Sequence, residues 1–113
     1  MLDWKEYRGE VKGRVGELRG LVPEVMKGYG QLAMAGEKSV HLDAKTRELI
    51  SLAVAVTTRC DGCIASHVEA ALAHGAKKEE LAEALGVAIA MNAGAALVYS
   101  ARTLDAFENM SKS

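Results

Sequence analysis

A chain of 113 residues has the length of one domain, and no internal period divides it into a smaller repeated unit. Its 14 Lys+Arg against 15 Asp+Glu leave a formal net charge of -1, which excludes the basic field needed to hold a phosphate backbone, so nucleic acid is not an expected partner. Half of the residues (50%) are hydrophobic but only 4% are aromatic, so the core must be built from Ala, Val, Leu and Met; a single all-α domain over residues 1–113 is the expectation.

The first helix is expected from about Asp3 to Leu18, where Trp4, Tyr7, Val11, Val15 and Leu18 recur in steps of three and four. Gly9, Gly13, Gly16 and Gly20 keep the same spacing on another face. Each interior glycine costs a helix about 1 kcal/mol relative to Ala, so this face marks either a weak, fraying helix or the close approach of a second one. Pro23 suits the first turn of a second helix carrying Val25, Met26, Tyr29, Leu32 and Ala33 and ending near Gly36, before a polar loop from Glu37 to His41.

Asp43 reads as the N-cap of a third helix through about Thr57. The run Leu49 to Val56 within it is almost continuously apolar, and periodicity alone allows a buried strand there. A strand leading into Cys60-Asp61-Gly62-Cys63 would follow the order of a thioredoxin-like fold. That fold also needs a proline downstream of the cysteines, whereas the only proline is Pro23 and every later segment has helical spacing, so the helix is preferred. A fourth helix runs from the cysteines to His74 with Gly75 as its C′ residue, and a fifth starts at about Lys78 with Leu81, Leu85, Ala88 and Ile89. Asn92 to Gly94 is expected to break or kink the chain before a sixth helix with Leu97, Val98, Ala101, Leu104 and Phe107. Six helices are expected in all.

From Ala84 to Ala101 no residue is formally charged, which approaches the ~18 residues of a membrane span. The stretch is mostly Ala and Gly, with Asn92 and Ser100 inside it, and suits a buried or subunit-facing position better than a membrane. The first twenty residues show no apolar secretory stretch, and two cysteines are too few for a secreted disulfide framework, so a reducing, cytoplasmic setting is expected.

Cys60 and Cys63 at a helix start can meet in a disulfide, and the unpaired N–H groups there favour a thiolate, as does Arg59 just upstream; Asp61 works the other way. His67 falls four residues after Cys63 and seven after Cys60, on the same face, where an imidazole can exchange a proton with a thiol. A CxxC alone also fits ordinary buried cysteines or half of a zinc site. For zinc the chain offers only His41 and His74 as further histidines: His74 lies about 10 Å beyond His67 along a helix and suits a helix C-terminus, and His41 reads as a solvated loop residue. No metal site and no bound cofactor are therefore expected.

The stretch RCDGCIASHVEAALAHGAKKEELAEALGVAIAMNAG resembles the core of the carboxymuconolactone decarboxylase and AhpD-like alkylhydroperoxidase superfamily. The likeness rests on Cys60-x-x-Cys63-x-x-x-His67, on Glu48 twelve positions before the first cysteine, and on the GA-x-x-EE-x-x-EAL pattern that follows, and it runs from roughly Leu42 to Gly94. The resemblance implies an all-helical, AhpD-like bundle assembled as trimers or hexamers. In members with the cysteine pair it implies peroxide reduction through a disulfide cycle; members that decarboxylate the lactone generally lack the pair. It makes Cys63 the peroxide-attacking thiol, Cys60 the more exposed resolving thiol, and Glu48 with His67 a proton relay. By spacing alone Glu48 fits a solvated helix face equally well. Gly62 departs from the pattern, since characterised peroxidase members can carry an aromatic there.

The leading expectation is thus a thiol-dependent peroxidase or disulfide oxidoreductase, with a hydroperoxide as oxidant and a lipoyl or thioredoxin-like dithiol protein as reductant. The alternative is a non-enzymatic helical assembly module whose cysteine pair senses redox state or holds a metal. A homo-oligomer is expected in either case. A chain of this size buries only about two thirds of its unfolded surface alone, and the glycine face of the first helix or the uncharged span after Ala84 suits a subunit contact.

Overall fold

The computed structural model describes residues 1–112. Among them the chain forms five α-helices and one 3₁₀ turn, without strands: α1 (Trp4–Leu21), α2 (Pro23–Ala35), the turn Gly36–Lys38, α3 (Ala44–Thr58), α4 (Asp61–Ala73) and α5 (Lys78–Ser111). The apolar run of residues 49–56 is helical, in α3, so the thioredoxin-like alternative is excluded.

Most boundaries follow from local chemistry. Asp3 caps α1 by accepting from the Glu6 N–H at 3.0 Å, and Asp43 caps α3 by accepting from the Thr46 N–H at 2.8 Å. Pro23 opens α2 after a single intervening residue, Val22, at a position where its missing N–H is not needed. Both α3 and α4 end in a turn closed by the same long backbone bond: the Cys60 N–H reaches the Ala55 carbonyl at 3.0 Å, and the Ala76 N–H reaches the Ala71 carbonyl at 2.9 Å. The left-handed residue of the second turn is Gly75 (φ 78), as expected; in the first it is Arg59 (φ 53), a side-chain-bearing residue in a region that costs about 1–2 kcal/mol.

The expected sixth helix is part of the fifth. α5 runs unbroken for 34 residues through Asn92 and Gly94. Asn92 does not break it because its amide nitrogen donates to the Ala88 carbonyl at 2.7 Å and to Thr57 Oγ1 on α3 at 2.8 Å, so its side chain ties the helix down instead of competing with its backbone. A single glycine costs too little to stop so long a helix.

The core is small. α3 lies between α4 and the N-terminal half of α5, and the buried apolar residues are Leu52 and Ala55 of α3, Ala65 and Ala71 of α4 and Ala88 of α5. Alanines let these three helices approach closely, and Leu52, 2% exposed, fills the centre. α1 packs on α4 and passes into α2 with only Val22 between them, but Gly9, Gly13, Gly16 and Gly20 have no heavy atom within 4 Å of where a Cβ would stand. Their face is therefore open, and the close approach considered for it does not occur within this chain. From Ala95 onward every described residue of α5 is exposed, including Leu97 at 75% and Phe107 at 72%.

Candidate functional site

The turn that ends α3 delivers Cys60 as the N-cap of α4, and Cys63 follows in its first turn. The two are joined in a disulfide with Cα atoms 5.2 Å apart, within the ordinary range for such a bond. The Cys63 N–H donates to Cys60 Sγ at 3.1 Å. The helix-start donor that favours a thiolate is thus aimed at the first cysteine, which the sequence could not assign to either member of the pair. Both cysteines are half-buried.

One turn further along α4, His67 donates from Nδ1 to Oε2 of Glu48 on α3 at 2.6 Å. An ionised carboxylate only accepts, so Nδ1 carries a proton in this contact, and a neutral ring so held presents the lone pair of Nε2. Glu48 is the more enclosed partner, 19% exposed against 37% for His67. The structure thus pairs Glu48 of α3 with His67 of α4, and joins Cys60, the N-cap of α4, to Cys63 in its first turn, one helical turn before His67. A general base oriented by a carboxylate, one helical turn from a thiol, can accept and return a proton during attack on a bond.

The pair borders an open cleft of about 490 Å³, lined by Leu32, Gly36, Arg47, Ser51 and His74 besides Glu48 and His67. Sequence spacing had separated His74 from His67; they do lie two turns apart, yet both face this cleft. His41 is an exposed residue between α2 and α3. Arg47 was not anticipated, because a charge next to Glu48 on a charged helix turn reads as solvated. Among the described residues no three His, Cys, Asp or Glu side chains converge as metal ligands would.

Three contacts set this frame. Val11 of α1 lies 3.7 Å from where a Cβ at Gly62 would stand, and Arg8 approaches Glu69 at 4.0 Å, so α1 covers the first turns of α4. Lys45 of α3 and Glu80 of α5 form an ion pair at 2.7 Å. Their mutual hydrogen bond holds the Glu80 carboxyl below its ordinary value and raises the Lys45 ammonium above its own.

The model of the carboxymuconolactone decarboxylase family matches residues 23–106. An uncharacterised protein of Haemophilus influenzae is 52% identical over 105 residues, 93% of each chain, and one of Cupriavidus necator is 33% identical over 106 residues, 94% of each. Among solved structures, a carboxymuconolactone decarboxylase family protein from Legionella pneumophila superimposes with a TM-score of 0.75 at 39% identity, covering 96% of this chain and 97% of the other.

Proposed function

Because the chain belongs to the carboxymuconolactone decarboxylase family, we propose that it is a thiol-dependent peroxidase, reducing hydroperoxides through a Cys60–Cys63 disulfide cycle. The observation that carries this reading is the disulfide at the start of α4 with the Glu48–His67 pair one turn away. Cys63 loses its proton to His67 Nε2 and its thiolate attacks the O–O bond. The terminal oxygen becomes a sulfenic acid on Cys63, and the leaving alkoxide takes the proton back from His67 as an alcohol. Cys60, whose thiolate is favoured by the Cys63 N–H, then attacks that sulfur; water leaves and the disulfide closes. A dithiol reductant, such as a lipoyl or thioredoxin-like protein, supplies two electrons and two protons to reopen it.

The test is peroxide consumption with several dithiols. Cys63→Ser should abolish turnover, and Cys60→Ser should allow one attack per site followed by over-oxidation. His67→Ala should slow the first step by about 10²- to 10⁴-fold. Loss of two thiols without any turnover would instead favour a non-enzymatic redox-sensing module, and an undiminished single-turnover rate in the His67 variant would remove that residue from the mechanism.

The reading includes a homo-oligomer. The chain exposes 9191 Å², whereas a folded monomer of 12.0 kDa exposes about 6,000 Å². Much of the excess is apolar side chain on the C-terminal half of α5 and on α2.

A further inference from the structure

We propose that the cleft beside Glu48 and His67 binds a carboxylate-bearing organic hydroperoxide, with Arg47 holding the carboxylate. The proposal rests on the peroxidase reading and names its substrate class. Arg47 is half-buried on α3. Its Nη1 donates to the Leu42 carbonyl at 2.9 Å, and its Cδ lies 3.7 Å from where a Cβ at Gly36 would stand, so the side chain is held in place along its length. Among the described residues no carboxylate lies within 4.0 Å of its guanidinium, although one of its five N–H donors alone is occupied at Leu42. The Asp43 carboxylate acts on Arg47 only from beyond that distance and is already bonded to the Thr46 N–H, so the guanidinium keeps donors free toward the cleft, and its planar fork matches a carboxylate. Of the acids lining the cleft, Glu48 is engaged by His67, and Glu37 is exposed at the rim.

The cysteines themselves do not line the cleft, whose nearest lining residue on α4 is His67, one helical turn beyond Cys63, so a substrate held at Arg47 must be large enough to reach past His67; Leu32 and Ala33 give the cleft an apolar wall. In the reaction the O–O bond breaks, the terminal oxygen passes to Cys63, and the substrate leaves as the hydroxy acid. Cys60 then expels water in closing the disulfide, and the dithiol returns the two electrons.

The experiment compares a fatty-acid hydroperoxide with its methyl ester on the wild type, Arg47→Gln and Arg47→Lys. In parallel, unreactive decanoate is titrated into each protein and followed by backbone amide NMR. The wild type should prefer the acid in kcat/KM by about tenfold to a hundredfold, the worth of a charge-assisted hydrogen bond. Arg47→Gln should lose that preference through KM, and Arg47→Lys, which keeps the charge without the fork, should retain part of it. Decanoate should shift cleft resonances in the wild type and not in Arg47→Gln. Equal rates for acid and ester in the wild type would overturn the anion site and leave the peroxidase reading intact. Equal losses for acid and ester in Arg47→Gln would make Arg47 merely structural and overturn the proposal too. If no hydroperoxide, hydrogen peroxide included, oxidises Cys63, the peroxidase reading fails, and the decanoate titration alone upholds or overturns the anion site.

Discussion

At Gly62 a Cβ would meet Val11 at 3.7 Å, an ordinary contact, so Gly62→Ala should fold with α1 in place. An aromatic ring there has no such room: Gly62→Phe should push α1 away from α4, with a loss of about 1–3 kcal/mol in denaturant unfolding, the usual cost of overpacking. Equal stability of the Ala and Phe variants would show that α1 does not seat on this turn. The same residue scale shows what a sequence can reveal of a site. Cys60, Cys63 and His67 were legible because helical geometry fixes their mutual placement once the helix is granted. Glu48 lies 19 residues from His67, and spacing leaves it equally suited to solvent, so only resemblance pointed to it. Arg47 was not legible, since its half-buried setting depends on how the turn around Gly36 packs on α3.

Between elements, the Lys45–Glu80 pair joins the start of α3 to the start of α5, and thereby the helix carrying Glu48 to the helix that backs it. The folded carboxyl of Glu80 is held below its ordinary value of 4.5, so its contribution is present at neutral pH and is lost as pH falls through the folded value. Lys45, raised above 10.5, contributes below that pH and ceases to do so as pH rises through its folded value. Glu80→Gln should therefore lower the urea midpoint at neutral pH and flatten the decline toward acid; parallel pH profiles for variant and wild type would dismiss the pair. Glu80 also accepts from the Lys77 N–H at 2.9 Å, so part of the lost midpoint belongs to the start of α5. Element existence was readable wherever a cap residue stood at the boundary, as at Asp43 and Gly75. The continuity of α5 was not, because whether Asn92 ends a helix depends on Thr57, 35 residues away.

Taken as a whole the molecule is extended, with a radius of gyration of 18.8 Å where a compact chain of 113 residues has about 13 Å. α5 is long and apolar enough to cross a membrane by length and composition, with 6% of its most apolar window buried. Its small residues and the open glycine face of α1 suit helix-on-helix contact, so a second copy is the occupant we favour for both surfaces. Light scattering at micromolar concentration should give a mass several times that of the chain, and Leu97→Asp with Phe107→Asp should lower it; a monodisperse, fully active monomer would refute this. The sequence already singled out these two stretches for association; that the uncovered face continues through Leu104 and Phe107 on the same helix could only be seen once α5 proved unbroken.

The N–H of Cys63 points at Cys60 Sγ in the oxidised protein, and a thiolate is a far stronger acceptor than a disulfide sulfur. The cap of α4 therefore tightens on reduction. Whatever stabilises the dithiol form over the disulfide shifts the couple toward higher reduction potential, so the same backbone group that begins a helix also biases the protein to hand its oxidising equivalents on to its reductant.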